Sequence, residues 1–116
     1  MLAKKHYLCY NTKKDLGEKK MAKTYTLTVL YLIKDGKGKE FVKLLDKGGF
    51  ANKVRREKGC LRYDYYFKSW DEDAVLLFEE WESKEAQMEH MNQPHMKEIK
   101  EVMDKYVVHV ELHDNL

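Results

Sequence analysis

Between Thr24 and Ile33 the chain alternates, with Tyr25, Leu27, Val29, Tyr31 and Ile33 on one side and Thr24, Thr26, Thr28, Leu30 and Leu32 on the other. Side chains two apart share a strand face, so this period predicts a β-strand that becomes apolar on both faces towards its end. Asp35, Gly36 and Gly38 predict a turn. Phe41, Leu44, Leu45, Ala51 and Val54 then recur at helical spacing as far as Arg55 and Arg56, predicting a first helix. Gly48 and Gly49 fall inside it. Each costs about 1 kcal/mol relative to alanine in a helix, which predicts a break, a kink or close packing there.

Lys58 and Gly59 end that helix, and Leu61, Tyr63, Tyr65 and Phe67 alternate with Arg62, Asp64, Tyr66 and Lys68 in a second strand with one aromatic face. Asp71, Glu72 and Asp73 predict a charged turn into a third strand over residues 74–82, paired with the second as a hairpin. Ser83 is a suitable N-cap for a short helix over 84–92. Pro94 suits the first turn of another helix, whose apolar stripe is Met96, Ile99, Val102, Met103 and Tyr106. Val108, Val110 and Leu112, alternating with His109, Glu111 and His113, predict a last strand. This order of elements fits an α+β fold, a ferredoxin-like split βαβ with a four-stranded antiparallel sheet and helices on one face. Tyr25 to Ile33 and both faces of the third strand carry apolar side chains, so the second sheet face left in water would expose a large hydrophobic patch, and a homodimer joined sheet to sheet is expected.

With 116 residues and 43% hydrophobic content the chain has material for one core, and no apolar run approaches the roughly 20 residues of a membrane span. Charge changes the picture more. Residues 1–23 hold seven lysines against Asp15 and Glu18, a net of +5, which leaves −3 on residues 24–116 of a chain whose total is +2. The basic character thus belongs to an N-terminal arm, expected to be disordered, and not to the domain over 24–116. That removes most of the electrostatic case for nucleic acid. The arm lacks the long apolar stretch and small-residue cleavage site of a secretory signal. Cys9 and Cys60 offer no disulfide framework, and a reducing cytoplasm is the expected location.

The words GCLRYDYY and LLFEEWESKEAQMEHMNQPHM, within residues 24–114, resemble the antibiotic biosynthesis monooxygenase family of the dimeric α+β barrel superfamily. The resemblance implies a dimeric barrel with a pocket between sheet and helices. It also implies oxidation of a small phenolic or quinol-type aromatic by O2 with no cofactor. An ionised phenol is electron-rich enough to reduce oxygen, so the protein need supply deprotonation, orientation and exclusion of water. Carried over to these words, His90 is the expected base or polar anchor and Trp81 its catalytic companion. Tyr63, Tyr65, Arg62, Glu79 and His95 are the expected substrate-binding residues.

Blander readings compete at each position. A histidine on an amphipathic helix is often a packed, hydrogen-bonded residue, and aromatic residues on strands are ordinary core. His109 and His113 share a strand face without a third ligand nearby, so no metal is expected. Haem-degrading relatives of this fold use an asparagine in the first strand, a tryptophan where His90 stands and a histidine near Lys100. None of these is present here. A non-oxidative binding or isomerase protein on the same fold is the alternative.

Overall fold

The computed structural model describes residues 23–116, so the basic arm expected over 1–23 lies, except for Lys23, outside the described residues. The chain runs β1 (Tyr25–Ile33), α1 (Gly38–Lys47), α2 (Phe50–Arg55), β2 (Cys60–Lys68), β3 (Asp71–Trp81), α3 (Lys84–His90), α4 (His95–Tyr106) and β4 (Val107–Asp114). The strands form one sheet in the order β2-β3-β1-β4, every neighbouring pair antiparallel. This is the expected α+β, ferredoxin-like arrangement.

The two-residue period of β1 is reproduced in its burial. Tyr25, Leu27, Val29, Tyr31 and Ile33 are all buried, and their intervening neighbours are only partly so. Register carries that face across the sheet: Tyr25 lies opposite Trp81, Leu27 opposite Glu79 and Val29 opposite Leu77, and Glu79 lies opposite Tyr63. Phe41 and Leu45 of α1, Ala51 and Val54 of α2, and Met96, Ile99 and Tyr106 of α4 cover these side chains and close the core. Leu44, expected on the buried stripe, is 41% exposed, because the i, i+4 pair of Phe41 and Leu45 already takes up the inward face.

The suspected flaw in the first helix is a break. Gly49 has φ +90°, a left-handed conformation that glycine adopts at little cost, and it separates α1 from α2. The hairpin turn differs from expectation. Asp71–Asp73 belong to β3, and Lys68 pairs with Asp71, so Ser69 and Trp70 make the turn, with Trp70 at φ +67° and fully exposed. A two-residue hairpin needs positive φ to match strand twist, and no glycine marks the place.

Asp73 instead fastens the β1–α1 turn. Its carboxylate accepts the backbone N–H groups of Gly36 and Gly38 at 2.8 Å each, and these bonds hold its pKa below the ordinary value. Gly38 packs against β3 so closely that a Cβ there would lie 1.7 Å from the Glu72 carbonyl oxygen. Gly38→Ala must therefore push α1 off the sheet. Urea unfolding is expected to record a loss of at least about 2 kcal/mol, and an unchanged midpoint would contradict this packing.

Candidate functional site

Side chains from all four strands meet under α3 and α4 around a cavity of about 410 Å³. Leu27, Val29 and Tyr31 of β1, Tyr63 of β2 and Leu77 of β3 form its sheet side, and Met91, Met96 and Met103 close it from the helices and the residues joining them. Exposed Lys100, Val110 and Leu112 complete the lining towards solvent. In this apolar setting the lining includes one buried carboxyl and one buried imidazole, Glu79 and His90.

Glu79 reaches the cavity because the strand period puts it on the buried face of β3, between Leu77 and Trp81. It is 5% exposed and accepts the Trp81 indole N–H at 2.9 Å. Burial raises its carboxyl to about 7; the indole bond pulls the other way, and the nearby Glu57 charge adds to the rise. At neutral pH this carboxyl is poised to take up or release a proton, as a general base requires.

His90 is delivered by α3. Ser83 caps that helix as expected, its hydroxyl accepting the Ala86 N–H at 3.1 Å, and the helix ends at His90 where 92 was expected. The ring is 2% exposed and lies over Trp81, with centroids 4.8 Å apart and planes at 32°. Tyr63 meets it edge-on at 5.8 Å. Nδ1 is 3.0 Å from both Glu57 carboxylate oxygens. An ionised carboxylate only accepts, so Nδ1 carries the proton in the neutral ring and Nε2 is left as an acceptor. Burial lowers the His90 pKa, with the Glu57 hydrogen bond opposing, which favours that neutral form.

The other expected residues fall at different places. Trp81 is fully buried behind His90 and Glu79 and does not line the cavity. Tyr65 also stands outside the lining, and its hydroxyl lies 3.4 Å from that of Tyr63. Burial pushes both phenols well above 10. Arg62 points to the opposite sheet face, where its guanidinium lies over the Phe78 ring at 4.6 Å and donates to the Tyr66 hydroxyl at 3.1 Å. Strand alternation forbids Arg62 and Tyr63 from sharing a site on one face. His95, the first residue of α4, turns Nε2 to Glu57 at 2.5 Å and lies outside the cavity lining. Glu57 was not anticipated. A charged residue in the turn before Gly59 carries no periodic signal, and only the folded chain brings it to two histidines 33 and 38 positions away.

Residues 24–102 match the family model for antibiotic biosynthesis monooxygenase. Solved structures share the architecture at low identity. A Pseudomonas aeruginosa protein is 21% identical, with a TM-score of 0.73 over 82% of this chain and 94% of that one. A Nitrosomonas europaea protein assigned to the antibiotic biosynthesis monooxygenases is 16% identical, with a TM-score of 0.74 over 81% and 89%. An uncharacterised Synechocystis protein is 30% identical over 69 residues, or 60% of this chain, and the chain spans 46% of that relative's length. A four-stranded antiparallel split βαβ sheet with its helices on one face defines a ferredoxin-like fold of the α+β class. The chain belongs to the antibiotic biosynthesis monooxygenase family.

Proposed function

We propose that the protein is a monooxygenase that oxidises a small phenolic or quinol-type aromatic with O2, drawing the electrons from the substrate itself. The observation that carries this reading is the buried Glu79 carboxyl, raised to about 7, in an apolar cavity of about 410 Å³ beside the acceptor nitrogen of His90. A phenol entering there gives up its proton to Glu79 or His90. The phenolate then reduces O2 in a pocket that excludes competing water. One oxygen atom joins a ring carbon and the other leaves as water, so phenol and O2 give quinone and water in balance. Tyr31 and Tyr63 offer ring faces and un-ionised hydroxyls to orient the substrate.

Oxygen-electrode assays of the flavin-free protein against a panel of quinols and polyphenols test this directly. Uptake is expected with at least one of them, falling at least about 100-fold in His90→Ala. The same carboxyl also suits proton transfer at a carbon beside a carbonyl. Exchange of substrate hydrogen with deuterated water, without oxygen uptake, would replace the oxidative reading with that one.

The working unit in this reading is a homodimer. On the sheet face away from the helices, Leu30 lies opposite Leu76 and Thr28 opposite Phe78, all part-buried, with Leu32 beside Ala74. Arg62, Asp64, His109, Glu111 and His113 flank this apolar centre on the outer strands. A face of this composition left in water is a liability, and pairing it with a second copy removes it. Light scattering is expected to give twice 13.9 kDa for the wild type and 13.9 kDa for Leu76→Arg. A dimeric Leu76→Arg would place the contact elsewhere.

A further inference from the structure

Three ligating side chains from three separate segments converge at the edge of the cavity, and of these only His90 also lines it. Glu57 comes from the turn after α2, His90 ends α3 and His95 begins α4. Nδ1 of His90 lies 3.0 Å from both carboxylate oxygens, Nε2 of His95 lies 2.5 Å from Oε2, and the three ligand atoms fall within 4.8 Å of one another. We propose that Glu57, His90 and His95 form a binding site for a divalent transition metal, of which zinc is the representative.

The geometry requires little change. Donors about 2.1 Å from a zinc ion, at angles between square and tetrahedral, sit roughly 3.0–3.4 Å from one another. Opening the two short carboxylate–imidazole contacts by less than about 1 Å, closing the widest ligand pair from within 4.8 Å by about 1.4 Å, and moving each ring proton to the far nitrogen admits the ion. The charge balance favours the exchange. The Glu57 side chain is 8% exposed, and its only ion-pair partners among the described residues are these two imidazoles. A carboxylate withdrawn from water is costly without a compensating positive charge, and a neutral imidazole provides a hydrogen bond but no charge. Two imidazoles and one carboxylate suit zinc and the other first-row divalent ions, whereas magnesium and calcium prefer oxygen donors throughout. His95 also borders a solvent-open hollow of about 660 Å³ shared with Lys53, Pro94, Glu98 and Glu101, which offers an access route and room for water in the remaining coordination positions.

Occupancy would act on the cavity through one ring. With the metal on Nδ1, the ring's single proton shifts to Nε2, so His90 becomes a donor towards the cavity where the metal-free ring is an acceptor. Glu79 is then the proton acceptor of the pair.

Isothermal titration of the full-length, chelator-stripped protein with zinc chloride, beside magnesium chloride, tests the site. One zinc per chain is expected, with no magnesium heat, and Glu57→Gln and His95→Ala should each weaken zinc by at least about 100-fold, beyond the 10–100-fold typical of losing an outer-shell partner. Imidazole nitrogen NMR of the wild type gives an answer that does not depend on either variant folding. Zinc should move the His90 Nδ1 and His95 Nε2 resonances. Wild-type zinc affinity in both folded variants, resonance shifts confined to His6, His109 or His113, or no zinc binding at all would each overturn the proposal.

Discussion

Glu79→Gln is expected to lower the turnover of an accepted quinol by about 100-fold or more at pH 8 while leaving the fold in place, since general-base catalysis contributes about 10²–10⁴. The amide keeps the shape and can still meet the Trp81 indole N–H through its oxygen, but it takes up no proton. In the wild type the rate should rise with pH through about 7 as Glu79 ionises, and the variant should lose that step. Unchanged turnover in the variant would remove Glu79 from the chemistry.

Stability should move in the opposite direction. The folded carboxyl sits at about 7 against an ordinary 4.5, so it favours folding while protonated; that contribution is complete below about 4.5 and is lost as pH rises through about 7. The interval corresponds to on the order of 3 kcal/mol. Chemical unfolding at pH 5 and pH 8 should therefore find the wild type weakening over this range relative to Glu79→Gln, which has no carboxyl to ionise. Groups whose pKa is lowered in the folded chain, such as Asp73 and Asp114, are common to both proteins and cancel in the comparison. A variant both more stable at pH 8 and far slower would mark Glu79 as a charge held in the core for function.

The fold was legible because its signals are local and periodic. The alternation of β1 divides its residues into the two sets that the fold then buries to different extents, and Gly49 marks the helix break through the one backbone angle that glycine adopts freely. The hairpin turn was not legible, since Trp70 takes a positive φ that its side chain gives no reason to expect. The site divides in the same way. His90 and Glu79 lie on elements whose faces follow from period, but strand register and helix docking decide which expected residues reach one cavity. That is why Arg62, one position from Tyr63, stands on the far side of the sheet. Glu57 depends wholly on tertiary docking, since a turn residue has no face until helices pack beside it.

Trp81 separates packing from electrostatics, and two substitutions should tell them apart. Its side chain is fully buried, so Trp81→Ala leaves a void that neighbouring strands fill only in part and should cost about 3–5 kcal/mol in denaturant unfolding. Trp81→Phe keeps most of the ring volume over His90 but removes the N–H that Glu79 accepts at 2.9 Å. That bond stabilises the ionised carboxylate, so its loss drives the Glu79 pKa further above about 7. A hydrogen bond to a charged group is worth about 1.5–3 kcal/mol, equivalent to an upward displacement of the pH–rate midpoint by about one to two pH units. At pH 7 the phenylalanine variant should be slow because few molecules hold an ionised base, and raising the pH should restore most of the rate. The alanine variant should not recover in that way, since its defect lies in packing. If the midpoint stays near 7 in Trp81→Phe, the indole is only a wall behind His90, and burial alone sets the proton affinity of Glu79.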